Sequence, residues 1–324
     1  MSEAIECINL KRVYRSKSLF GKKQETRALN GISFTAKQGE VFGLLGPNGS
    51  GKTTTMRILA TLLTPTSGNA LIHGVDVAQE PVAARKHIGL ILGGDRGFYG
   101  RLTGRENLWY FAILNSMQNA EAKARIIEVL NQVGLTEAAE IAVERYSKGM
   151  KQRLHIARGI LTNPDVVLMD EPTIGLDPEG AHELRALIPH FTSQGKTVLL
   201  TTHYMSEADE LSNHIAIINM GTIVANGTPT DIKKNFSKTS VAELILRRSV
   251  PIDAARLMAL PGMKEVTQSE DGPIKKITLY MEAGIDNKDN IFSILGADNI
   301  EYYIVRDSTL EEAYLSIIRK RIDN

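Results

Sequence analysis

Apolar residues fall along this chain in two rhythms. Four short continuous runs, "EVFGLL" (40–45), "DVVLMD" (165–170), "KTVLLTT" (196–202) and "HIAIINMG" (214–221), lack the alternation of a half-exposed strand and are too short for helices. They predict strands buried on both faces, as in a mostly parallel sheet covered by helices. Between the first two runs the pattern is mostly helical. In "NAEAKARIIEVLNQVGL" (119–135), Ile126, Ile127, Leu130 and Val133 recur at helical spacing, with Asn119 as a candidate cap. This predicts an α/β domain over 1–228 with a helical insertion at about 95–160. Turn residues in "NGTPTDIKK" (226–234) mark its end. Beyond them the pattern predicts a small α+β domain over 229–324, with strands at 241–248, 263–269, 274–282 and 300–306 and helices at 253–259, 288–296 and 309–321. Ser308 and Glu311 have capping-box spacing for the last helix.

Composition narrows the function. A chain of 324 residues exceeds what one hydrophobic core usually serves, which fits two domains. Lys plus Arg number 38 against 37 Asp plus Glu, and residues 229–324 hold 14 against 15, so neither the whole nor its tail is a basic clamp for nucleic acid. The basic stretch "KRVYRSKSLFGKKQETR" (11–27) reads as a solvated hairpin, with contact to anionic lipid as the lesser alternative. Cys7 is the single cysteine, which excludes an internal disulfide and fits a reducing compartment. The opening "MSEAIECINLK" has no signal-peptide core, and no stretch approaches the roughly 18 apolar residues of a membrane span, so a membrane role is expected to come through a partner.

The loops carry the chemistry. Residues 46–53 of "GPNGSGKTT" match G-x-x-x-x-G-K-[ST] between a strand and a helix, the setting a phosphate loop requires. Phosphates need backbone N–H groups at close range; Gly46, Gly49 and Gly51 let the chain wrap without side-chain clashes, and the following helix adds positive potential. Lys52 can neutralise β and γ oxygens, and the Thr53 hydroxyl can ligate Mg²⁺. In "VVLMDEP" (166–172) Asp170 ends a neighbouring strand where a carboxylate can hold the Mg²⁺ shell, and Glu171 can orient or deprotonate a water. In "RYSKGMKQRLHIARGIL" (145–161) Ser147 can cap a helix and Gly149 can admit a second phosphate. Two anion sites in one chain suggest a sandwich in which each ATP is gripped by two copies.

Taken together, the motifs resemble the ATP-binding subunit of an ATP-binding-cassette (ABC) transporter across residues 1 to about 228. "GPNGSGKTT" resembles its Walker A motif, "YSKGMKQR" its signature, "VVLMDEP" its Walker B motif, "GLD" (175–177) its subunit-joining loop and "TTH" (201–203) its switch histidine. The resemblance implies that Gly46, Pro47, Asn48, Gly49, Ser50, Gly51, Lys52, Thr53 and Thr54 hold ATP, that Thr53 and Asp170 hold Mg²⁺, and that Glu171 and His203 act with Lys52 in hydrolysis. It implies that Ser147, Gly149 and Asp177 serve the facing subunit's nucleotide, and that Tyr14, or its rival Phe20, stacks on adenine. "RLTGREN" (101–107) and the tail "STLEEAYLSIIRK" are similar to the daunorubicin-resistance-like export branch, which works with separately encoded permeases. That implies a dimer of nucleotide-binding subunits, homo- or heteromeric, lying peripherally on the cytoplasmic face of the membrane and binding no nucleic acid.

The sequence departs from the family twice. Tyr146 and Lys148 replace the signature's usual first residue and first glycine, and Gly93 stands where the family has a glutamine that touches Mg²⁺ and relays to the permease. Either Asp95 or a water is expected to take over, or coupling runs differently, and slower hydrolysis is the expected consequence. The readings that compete with a transport engine are a soluble ABC ATPase and an ATP-binding regulator.

Overall fold

In the computed structural model the described residues are 2–17, 23–93, 97–236, 239–247, 252–271 and 274–322. They divide into two compact units, Met1–Pro229 and Thr230–Asn324. At the centre of the first is a six-stranded sheet in the order Thr222–Gly227, His214–Asn219, Val41–Leu45, Thr197–Thr202, Val166–Asp170, Ile88–Leu92. All neighbours are parallel except the first pair. The four apolar runs form four of these strands, and alternate residues feed opposite faces. Val167, Met169, Val198 and Leu200 pack with Leu108, Ile126, Leu130 and Leu154 of the helical insertion. Phe42, Leu44, Leu168 and Leu199 pack with Met56 and Ile58 of the loop helix and with a second, four-stranded sheet.

Several local expectations need correcting. The run 214–221 stops as a strand at Asn219, because Met220 and Gly221 take positive φ and turn the chain into Thr222–Gly227. The basic stretch itself pairs as the expected hairpin, with Lys11, Tyr14, Arg15 and Arg27 exposed; its strands, Glu3–Lys17 and Lys23–Lys37, extend beyond it into the second sheet and there bury Leu10, Leu29 and Ile32. The interval between the first two runs contains further strands, Ser67–Ile72, Val75–Asp76 and Ile88–Leu92, before the helical part begins.

Within that helical part lie Gly104–Leu114, Asn119–Gln132 and Lys148–Ile160. Asn119 is not the cap of its helix. Gln118 occupies that position and makes no side-chain cap bond, while Ile127 faces solvent beside a buried face of Ala122, Ile126, Val129 and Leu130.

The second unit is an antiparallel sheet, Met263–Asp271, Ile274–Glu282, Thr239–Arg247, Ile300–Asp307, with helices Ala254–Met258, Lys288–Leu295 and Leu310–Ile322. Its capping box lies one residue beyond the expected pair. Thr309 Oγ1 accepts from the Glu312 N–H at 3.2 Å and Thr309 N–H donates to Glu312 at 2.7 Å, while the Ser308 hydroxyl donates to the Thr239 carbonyl. Arg306 ties the last helix to the sheet through Glu312 and Glu243. Lys276 and then the Arg306 guanidinium hold the Glu243 carboxyl below its usual range, and the guanidinium does the same for Glu312 against the opposing effect of burial.

Candidate nucleotide site

The sheet's pairing brings the predicted chemistry to one edge. Leu45 lies opposite Thr202, Thr201 opposite Asp170, and Asp170 opposite Leu92, so the loops leaving these strands all emerge at the same carboxyl end. In an open parallel sheet that end is where ligands bind.

Residues 46–51 join the strand Val41–Leu45 to the helix Lys52–Leu59. Gly51, at φ +116°, caps the helix in a conformation other residues resist, and a Cβ there would lie 2.8 Å from the Ala28 carbonyl. At Gly46 a Cβ would collide with the Ile218 carbonyl. The loop is pinned below by Gly221 N–H donating to the Ser50 carbonyl at 2.9 Å. Above it is a cavity of about 120 Å³ lined by Asn48, Gly49 and residues 51–54, together with Ala28 and Glu171.

Lys52 is only 4% exposed and its ammonium has three partners: the Gly46 carbonyl at 2.7 Å, the Pro47 carbonyl at 3.3 Å and Glu171 Oε1 at 3.3 Å. The other oxygen of Glu171 is 3.4 Å from His203 Nδ1, within ion-pair reach but without a hydrogen bond. Glu171 holds φ +49°, a costly conformation for a side-chain-bearing residue. Its N–H donates to the Thr201 hydroxyl at 3.0 Å and to the Thr201 carbonyl at 3.1 Å, which offsets that cost and fixes the turn. The Thr201 hydroxyl in turn donates to Asp170 Oδ1 at 2.6 Å. Thr201 thus holds the Asp170 carboxylate and the backbone of the Glu171 turn, a role that reading the sequence missed. Its one signal is a polar residue ending a fully buried apolar strand.

Asp170 Oδ1 also accepts from the Thr53 hydroxyl at 3.4 Å. A hydroxyl and a carboxylate facing each other are hard oxygen donors of the kind Mg²⁺ takes, and they fit that ion.

Gly93 sits beside this pair. Its N–H donates to the Asp170 carbonyl at 3.0 Å, and a Cβ on it would stand 2.6 Å from the Glu171 carbonyl and 2.9 Å from Ile174 Cγ2. The strand end is packed too tightly against the carboxylate turn to carry a glutamine. Asp95, the proposed substitute, lies outside the described residues, as does Phe20. Gly93→Gln is therefore expected to destabilise the unit by about 1–3 kcal/mol, the usual cost of overpacking, with no gain in ATP turnover. Thermal unfolding and phosphate release check this together; faster turnover at an unchanged midpoint would contradict it.

The remaining candidates gather elsewhere. Ser147 caps the helix Lys148–Ile160, its Oγ accepting from the Met150 N–H at 3.1 Å. Asp177 caps the helix Pro178–Ser193 through the Gly180 N–H at 3.1 Å. Both border a second cavity, about 430 Å³, together with Gly149 and Gly175. This cavity shares no lining residue with the loop cavity, so one chain presents the two candidate phosphate-binding elements separately.

Tyr146 is core rather than site. It is 4% exposed and donates its hydroxyl to the Ala138 carbonyl at 2.6 Å; burial and then Glu140 push its ionisation up, keeping that donor protonated. Gly104 of "RLTGREN" makes room for it, since a Cβ there would collide with the Tyr146 hydroxyl. Tyr14 lies on Glu3–Lys17 under the Arg12 guanidinium, 4.8 Å from its ring centroid, and does not line the loop cavity.

Comparison with known proteins agrees with this geometry. Residues 29–174 match the family model described as ABC transporter. The chain is 31% identical over 97% of both chains to the linearmycin resistance ATP-binding protein LnrL of Bacillus subtilis. It is 37% identical to the daunorubicin/doxorubicin resistance ATP-binding protein DrrA of Streptomyces peucetius, over 80% of this chain and 75% of that one. Among solved structures it resembles the dimeric, post-hydrolysis ATP-binding cassette MJ0796 bound to ADP and Pi, with TM-score 0.61 and 26% identity over 69% of this chain and 98% of that one.

Proposed function

Because this chain belongs to the ABC transporter family as one of its ATP-hydrolysing ATP-binding subunits, we propose that two copies close on two ATP molecules to drive a separately encoded membrane exporter. Each ATP is held between the lysine loop of one copy and the serine-capped helix of the other. The observation that carries this reading is the separation of the two half-sites into cavities with no common residue. A single chain can grip a triphosphate from one side only.

Within each composite site the residues divide the work. Backbone N–H groups of 46–54 and the Lys52 ammonium bind the β and γ oxygens. Thr53 and Asp170 hold Mg²⁺, which when bound neutralises phosphate charge. Glu171 takes the proton of the attacking water as it approaches the γ-phosphorus, His203 keeps that water and the γ-phosphate aligned, and Thr201 keeps the Asp170 carboxylate and the Glu171 backbone in place. Ser147, Gly149 and Asp177 complete the site from the facing copy. Tyr14 offers adenine a partly exposed ring. The cassette comprises residues 1–228, and 229–324 form an accessory domain.

The permease docks on the helical part of the cassette near residues 93–107. Tyr99, Tyr110, Ile113 and Leu114 expose apolar surface there, on and beside the helix Gly104–Leu114. Among the described residues no helix is long and apolar enough to cross a membrane. On this reading the permease supplies the path and the subunit sits peripherally at the cytoplasmic face. The cargo is a drug, antibiotic or lipid-like molecule, and the names of the relatives, resistance proteins for linearmycin and for daunorubicin/doxorubicin, favour a drug or antibiotic. The test is purification of the tagged full chain from detergent-solubilised membranes. An integral membrane protein is expected with the wild type and lost with Leu114→Glu; its absence from both would favour an ATPase acting without a permease.

A further inference from the structure

The serine-capped helix begins with a residue that its own chain does nothing to accommodate. Lys148 is the first residue of Lys148–Ile160, whose first turn contains no acid and also carries Lys151. Cations at this end oppose the helix dipole. Lys148 is exposed, and among the described residues its ammonium has no hydrogen bond or ion pair, although it lines the 430 Å³ cavity with three acids, Asp177, Glu179 and Glu183. The other cation lining that cavity, Arg153, is engaged with Glu183 at 3.4 Å. Without Lys148, a triphosphate brought to this face would meet Asp177 and Glu179 with no free positive charge to offset them. Like charges brought together at an interface are strongly unfavourable.

We propose that Lys148 is a phosphate-contacting residue supplied in trans, its ammonium meeting the γ-phosphate oxygens of the ATP held by the facing copy's lysine loop. This rests on the composite-site reading. It gives the departure from the family glycine a purpose: the added charge offsets an acidic rim while Gly149 keeps the approach open, where a Cβ would meet only Ser147 Oγ at 3.8 Å. The arrangement also costs the resting monomer, because the unpaired cation faces the positive pole of its own helix.

The test uses the full-length Glu171→Gln chain with Mg²⁺ and a titration of ATP, reading dimer formation by sedimentation. Adding Lys148→Met is expected to raise the ATP concentration at half-dimerisation about tenfold, the order expected for one charge-assisted contact, and Lys148→Arg is expected to restore it. Without ATP, Lys148→Met is expected to melt no lower than its parent, because a merely structural lysine would do the opposite. An unchanged half-point with Lys148→Met, or a lowered melting temperature that accounts for the shift, overturns the role of Lys148 alone. A Glu171→Gln chain that stays monomeric at saturating ATP overturns the composite-site reading beneath it.

Discussion

Glu171→Gln is expected to lower ATP turnover by at least about a hundredfold while ATP still binds, the scale on which a lost general base is felt. The substitution keeps the side chain's size in a turn whose backbone, at φ +49°, is held by Thr201 and does not depend on the carboxylate. It removes a negative charge 3.3 Å from Lys52 and 3.4 Å from His203. Neither loss harms the binding of a polyanion, since the Lys52 ammonium is left freer to meet phosphate. Phosphate release measures the first effect and fluorescent-nucleotide titration the second. Turnover within threefold of wild type would assign the base elsewhere.

Lys52→Ala is expected to act on the other parameter. The ammonium is buried and shared among two carbonyls and Glu171, so truncation leaves a half-buried carboxylate without its cation as well as removing the phosphate contact. Losing one partner of such a charge pair costs about 2–5 kcal/mol, which corresponds to a fall in ATP affinity of about thirtyfold to several thousandfold. The check is thermal: millimolar ATP with Mg²⁺ should raise the unfolding midpoint of the wild type and leave Lys52→Ala unmoved. An equal rise in both proteins would remove Lys52 from the binding site.

The parallel sheet was legible because strands buried on both faces must be largely apolar, as Val41–Leu45 is and as Val166–Asp170 is up to its closing carboxylate. The loop, Asp170 and Glu171 were legible because phosphate chemistry fixes residue types at fixed spacing. The second sheet was harder to read. Its strands Glu3–Lys17 and Lys23–Lys37 pass through several register shifts, and each shift breaks the two-residue alternation. Thr201 reaches Asp170 across neighbouring strands that are 31 residues apart in sequence, a relation no local window contains. At the last helix Ser308 and Thr309 were both eligible caps, and the choice was set by the Thr239 carbonyl claiming the Ser308 hydroxyl. Gly93 and Gly104 looked like gaps or motif letters in the sequence. In space each leaves the room that the Glu171 carbonyl and the Tyr146 hydroxyl require.

The most direct measurement asks whether the lysine loop and the serine-capped helix serve the same ATP from different chains. Lys52→Ala and Ser147→Asp disable one element each, the aspartate preserving the helix cap while repelling phosphate. Each variant alone should be nearly inactive. Mixed in equal amounts, random pairing puts both lesions into one site of every mixed dimer and leaves the other site whole, so about a quarter of wild-type turnover should return. A mixture as inactive as its components would mean that both elements act on nucleotide within a single chain.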